Sequence, residues 1–247
     1  MSEVLVLCYH AVSPTWPATL AVTPEALERQ LTSLVRRGWR GATFYDAVFD
    51  PPSPRTLAVT FDDAFASVQT LALPILERLG LPGTVFAPTA FISRRDRLSW
   101  PGIEHWQRSP HAAELIPMGW PQLGELTDRG WEIGSHTHTH PRLTRLEDDA
   151  ARHELAQSRA ECLQHLGQAC RTIAYPYGDV DGRIAGIAER AGYAAGASLS
   201  RRLEPLGPYR WPRVGIHHMD VWWRFKLKAA RPSRRARASN LWPGPDR

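Results

Sequence analysis

Leu57-Ala58-Val59-Thr60-Phe61-Asp62-Asp63-Ala64 is the stretch on which the rest of the chain can be read. It is a short apolar run without helical spacing, which points to a strand buried on both faces, and it stops on two adjacent carboxylates. A second stretch has the same plan. Trp131-Glu132-Ile133-Gly134 leads into Ser135-His136-Thr137-His138-Thr139-His140-Pro141. An apolar strand that ends in polar, metal-ligating side chains is the arrangement by which parallel sheets and barrels collect chemistry at one rim.

Outward from these stretches, strand and helix alternate. Val4 to Tyr9 reads as an opening buried strand ending on Tyr9-His10. Thr23-Pro24-Glu25 supplies a cap, a first-turn proline and an acid for a helix that Gly38 closes. A helix over residues 71–79, bent or restarted at Pro74, leads to a short strand over 83–87. Residues 88–119 read as a long irregular connection, of the kind that carries function in compact domains. Helices follow over 120–129, 146–166, 182–191 and 219–230, with strands over 131–135, 171–175, 193–197 and 210–216. The polar clusters Tyr9-His10, Asp62-Asp63, His136 to His140, Tyr175 to Gly178 and His217-His218 all fall at strand ends. The pattern predicts a parallel α/β sheet or barrel in a single domain over residues 1–230, followed by a basic, disordered tail at 231–247.

The sequence pI of about 9.4 misleads unless the charge is divided. From Arg224 onward there are eight basic residues and one acid, which leaves residues 1–223 at −2 although the whole chain is at +5. A general nucleic-acid-binding surface is therefore not expected. Cys8, Cys162 and Cys170 suggest neither a paired framework nor a CxxC metal site. Met1-Ser2-Glu3 runs straight into the first strand without a basic n-region, so a cytoplasmic protein is expected.

Two carboxylates and a histidine cluster suit metal-assisted hydrolysis, in which some side chains hold the ion and another moves protons. The bland reading of Asp62-Asp63 is a helix cap and its neighbour. For the histidines, a helical turn would pair His136 with His140, whereas an extended chain would align His136, His138 and His140. Pro141 disfavours a helical His140, so a plain helix is excluded, but both ligand sets stay open. The aromatic, basic segment from Val221 to Lys228 reads as the last barrel helix or as a contact with an anionic membrane surface.

Taken together, these motifs resemble those of the NodB-homology polysaccharide deacetylases, carbohydrate esterase family four, over most of residues 4–230. Thr60 to Ala64 resembles the first motif, Glu132 to Pro141 the second, Leu7 to His10 the opening strand and Ala174 to Gly178 the third motif. The resemblance implies a distorted (β/α)7 TIM-like barrel and a divalent metal, Zn2+ foremost, held by Asp63, His136 and His140, with His138 a spacer. It further implies Asp62 as general base, the Tyr177 N–H as oxyanion donor, and substrate contacts at Tyr9, His10 and Pro176. The general acid falls to His217, with His10 as its rival. The substrate implied is an N-acetylated carbohydrate; separately, the basic C-terminal segment and the start of the chain suggest peripheral contact with the inner membrane face. The departures are Ala64 for a glycine, no recognisable fourth motif, and Ala174 where an arginine usually orients the base, for which Arg171 or Arg213 is the substitute. Rival expectations are a non-catalytic carbohydrate-binding relative and a metal-dependent amidase acting on a non-sugar amide.

Overall fold

Leu57, Ala58, Val59 and Phe61 are fully buried in a strand, Arg55–Asp62, that forms the middle of a parallel sheet. The computed structural model describes residues 3–94, 96–200 and 203–239. The successive barrel strands are Glu3–Tyr9, Arg55–Asp62, Gly83–Ala87, Glu132–Ser135, Thr172–Ala174 and Ala195–Ser198. Each pairs with the next in parallel, in registers such as Tyr9↔Phe61, Asp62↔Phe86, Ala87↔Ser135 and Ala174↔Ala197.

The seventh position is shared by two short strands. Trp211–Pro212 pairs with the sixth strand and Val214–Gly215 with the first, both in parallel. Arg213 lies between them, and its N–H donates to Ser198 O at 3.0 Å. Both edges of the sheet thus meet on one segment, giving the expected distorted (β/α)7 barrel. Because every pairing is parallel, the carboxyl ends of the strands face the same way and bring their polar extensions to one rim.

Close approach of the strands depends on small residues. A Cβ built on Gly134 would lie 2.5 Å from the Phe86 ring and 2.9 Å from Thr172 Oγ1, so no other residue fits beside the histidine motif without displacing the wall. Helix Pro24–Val35 starts as expected, with Thr23 Oγ1 accepting from Ala26 N at 3.2 Å. The restart at Pro74 is also present: a π-helical turn, Val68–Ala72, gives way to α-helix Leu73–Arg78.

Several expectations need correction. Strand Arg40–Ala42 and helix Phe44–Phe49 escape the sequence reading because they are too short to show a period. The strand pairs with the N-terminal half of Arg55–Asp62, while the third barrel strand takes the C-terminal half. The long connection holds helix Thr89–Arg94 and two 3₁₀ turns. Cys162 and Cys170, read as unpaired, form a disulfide between the end of helix Asp148–Leu166 and the entry to the fifth strand. Residues Arg231–Ala238, expected to be disordered, form a helix. Arg234 ion-pairs with Glu3 and lies over the Trp39 ring, and Arg237 O accepts from Leu203 N, so the helix is tied to the barrel. Residues 240–247 of that tail lie outside the described residues.

Candidate active site

At the carboxyl rim, Asp63 Oδ1 lies 3.3 Å from His136 Nε2 and 3.5 Å from His140 Nε2, with all three residues buried. The local backbone explains how they converge. Asp63, Ala64, Thr137, His140 and Tyr177 are the non-glycine residues with positive φ among those described, and all sit in the three motif loops. Left-handed backbone at Thr137 and His140 rules out both the helical and the extended form of the histidine run. It folds the loop so that His136 and His140 face inward together. Such conformations cost of order 1–3 kcal/mol each and persist where surrounding structure enforces them.

Glu154 is one such enforcer. Its carboxylate accepts from His138 N at 2.9 Å, Thr139 N at 2.7 Å and Thr139 Oγ1 at 2.6 Å. His138 turns away from the centre, with Nδ1 3.2 Å from Thr89 Oγ1 and 3.3 Å from Glu161 Oε2, as a spacer should. Glu154→Ala should lower stability by about 2–3 kcal/mol, because two amides and a hydroxyl lose a charged acceptor. Chemical denaturation with and without added metal measures this loss, and an unchanged midpoint would remove Glu154 from the account.

The donor set suits a cation. His136 Nδ1 lies 2.7 Å from Ala174 O, and a carbonyl only accepts, so Nδ1 carries a proton and Nε2 is the ring atom turned to Asp63. Asp63 Oδ1 and His140 Nδ1 are buried without hydrogen-bond partners. Burial would raise the Asp63 pKa, yet the His136 and His140 rings hold it well below the usual carboxylate range. A carboxylate and two imidazole nitrogens whose acceptor atoms converge on one point fit a divalent metal.

Asp62 has a different environment. Arg213 Nη1 donates to its Oδ1 at 2.6 Å and Nη2 to its Oδ2 at 2.8 Å, while the Cys8 thiol lies 3.4 Å from Oδ2. Burial alone would push the carboxyl up, but the charge and hydrogen bonds of Arg213, together with His136 and His10, outweigh it and hold the pKa at about 2. The clamp missing from the third motif therefore comes from Arg213, at the closing segment of the barrel. Arg171 is exposed and lies over the Tyr45 ring instead. An arginine within an apolar strand was the available signal, because a buried cation must find a partner.

A cavity of about 370 Å³ opens onto Asp62, Asp63, His136 and His140, and His10, Tyr177 and His217 also line it. His10 Nδ1 and His217 Nδ1 are buried without partners, so both rings keep a nitrogen available. Burial, helped by nearby Lys228, lowers the His217 pKa. Two expected contacts do not reach the cavity. Tyr9 is buried between the first strand and helix Pro24–Val35, stacked on Phe61 with its hydroxyl on Gln30, because it points to the helix side of the strand, opposite Cys8, whose thiol faces Asp62. Pro176 is buried and does not line the cavity either. Trp100, stacked on the His140 ring at 3.9 Å, lines the cavity, as does Arg142, over the Tyr177 ring at 4.1 Å, which was not singled out from sequence. Trp120 stacks on His165 and serves as an anchor.

The chain belongs to the polysaccharide deacetylase family, whose pattern matches residues 50–196. YxkH of Bacillus subtilis (strain 168), named for the same family, is 26% identical over 198 residues, or 78% of this chain and 63% of that protein. The poly-beta-1,6-N-acetyl-D-glucosamine N-deacetylase of Staphylococcus aureus (strain MSSA476) is 25% identical over 157 residues, or 60% of this chain and 49% of that one. The chain thus spans between half and two thirds of the length of these curated relatives. Among solved structures, Streptococcus pyogenes deacetylase PplD in complex with acetate has the same fold, with a TM-score of 0.76 at 22% identity, covering 92% of this chain and 98% of that one. IcaB from Ammonifex degensii gives 0.74 at 23% identity, covering 93% and 98%.

Proposed function

We propose that this protein is a metal-dependent hydrolase that removes N-acetyl groups from an N-acetylated sugar polymer or its precursor. One observation carries the reading: a metal-ligand set around an unpartnered carboxylate oxygen shares a cavity with a second carboxylate clamped by arginine. The likeness to an N-acetyl-D-glucosamine polymer deacetylase supports an amino-sugar substrate, and Trp100 and Tyr177 offer ring faces for it.

Asp63, His136 and His140 would hold the ion. A divalent cation there, Zn2+ foremost for two imidazoles and a carboxylate, supplies polarisation of the acetamide carbonyl and a lowered pKa for water. Asp62, ionised at neutral pH, takes the proton of the attacking water, and Arg213 fixes both its oxygens in one orientation. The Tyr177 N–H serves as oxyanion donor. His217 hands a proton to the nitrogen as the C–N bond breaks, so acetate and a free amine leave. His10 lies across the same cavity and is the other proton source.

The Arg213 clamp favours a working base over a non-catalytic carbohydrate-binding relative, in which a buried ion pair at this rim would have no use. A metal-dependent amidase acting on a non-sugar amide is the alternative with the same chemistry. The described residues include no helix long and apolar enough to cross a membrane. The Cys162–Cys170 disulfide supports an oxidising compartment rather than the cytoplasm expected from sequence.

Acetate release from β-1,6-linked N-acetylglucosamine oligomers and other N-acetylated sugars tests the reading. Release should stop with a chelator and return with Zn2+. Failure on every N-acetylated sugar would sink the proposal, and hydrolysis of small cyclic amides would favour the amidase.

A further inference from the structure

The segment that follows His217 leaves an apolar face uncovered. Met219 is 62% exposed, Val221 50%, Trp223 61% and Leu227 58%. In helix Trp222–Ala229, the buried side is formed by Phe225 and Ala229. Trp223 and Leu227 are four residues apart, so they share a face, and it turns away from the barrel. Charge surrounds this face. From Val221 to Ser239 there are seven basic residues and no acid. Four of the seven have inward partners: Lys228 with Asp220, Arg231 and Arg234 with Glu3, and Arg237 with Ser200 O. Arg224, Lys226, Arg231 and Arg235 are exposed, and the Arg224 guanidinium lies over the Trp223 ring. Residues 1–223 carry a net −2, so the cationic character is local to this face.

We propose that this face docks on an anionic lipid bilayer, with Trp223 and Leu227 at the level of the headgroups and the exposed cations on lipid phosphates. Apolar side chains interleaved with cations on one helix face, with tryptophan among them, suit the interface between hydrocarbon and water. A soluble acidic protein or a nucleic acid would satisfy the cations but would not require a bare Trp and Leu beside them. The contact lies on Met219 to Leu227 and the start of the next helix, not on a disordered tail.

Its position gives the docking a use. His217 lines the catalytic cavity, and His218 N donates to O of Thr19, another cavity residue, at 3.0 Å; Met219 comes next. The docked face and the cavity therefore adjoin, and a substrate held at a membrane would meet the cavity at its edge. Docking itself does not depend on the deacetylase reading; only this last consequence rests on it.

The test uses the full chain and sedimentation with phosphatidylcholine vesicles, with and without phosphatidylglycerol. The protein should sediment with the phosphatidylglycerol vesicles only, release at high salt, and show a blue-shifted tryptophan emission when bound. Trp223→Ser with Leu227→Ser should weaken partitioning by about tenfold or more, and Arg224→Gln with Lys226→Gln should reduce its salt dependence. Melting temperatures should stay near that of the parent, because all four side chains are exposed. The proposal is overturned if the protein ignores phosphatidylglycerol vesicles, or if the serine variant binds them undiminished. It is equally overturned if heparin captures the protein as strongly and with the same indifference to Trp223 and Leu227. A dimer in sedimentation velocity that Leu227→Ser abolishes would assign the face to a second copy.

Discussion

Asp62→Asn is expected to lower kcat by about 10²–10⁴ while bound metal stays at the parent stoichiometry. The two carboxylates are adjacent in sequence but face different partners. Asp63 points between two imidazole nitrogens, whereas both oxygens of Asp62 are taken by Arg213. Asparagine keeps one acceptor for the guanidinium and nearly the same shape, so the wall should survive, but the amide has no basic oxygen for the water proton. Metal analysis of the purified variant, alongside its kinetics and a circular dichroism spectrum, separates the roles. If metal is lost together with turnover in a folded variant, Asp62 is a ligand and the division of labour fails.

Arg213→Met should have the second large effect, on stability and on pH dependence together. The parent Asp62 carboxyl sits at about 2, below its unfolded value, because Arg213, the strongest group favouring the carboxylate, outweighs burial together with His136 and His10. A depressed carboxylate contributes stability that is present above its unfolded pKa and lost as pH falls through the folded one. That contribution is thus full at neutral pH and fades in the window from about 4 down to 2. Methionine fills similar volume but leaves a buried carboxylate without its cation, at a cost of roughly 3–5 kcal/mol. With Arg213 gone, burial is opposed only by His136 and His10, and the Asp62 pKa rises. The acid limb of kcat/KM should move towards neutrality, and Arg213→Lys should restore part of the shift. An unmoved acid limb in a folded Met variant would show that Arg213 does not govern the base.

Much of this was legible from local pattern. Apolar runs without helical spacing marked the strands, and the acids and histidines at their ends marked the rim, because a strand buried on both faces cannot hold polar groups until it emerges. Likewise, Pro141 already denied the histidine run a helix. Other features needed the closed barrel. Arg213 and Asp62 are 151 residues apart, and nothing local pairs them until the closing segment brings the first and sixth strands together. Tyr9 and His10 are neighbours in sequence, yet Tyr9, the last residue of its strand, packs in the core, while His10, just beyond the strand end, lines the cavity. The same holds for the Cys162–Cys170 pairing and the helix at Arg231–Ala238, whose positions depend on partners elsewhere in the chain. Asp62-Asp63 and the His136–His140 run were thus readable as parts from sequence alone. Which oxygen binds and which takes the proton depends on what faces it, and only the closure of the parallel sheet decides that.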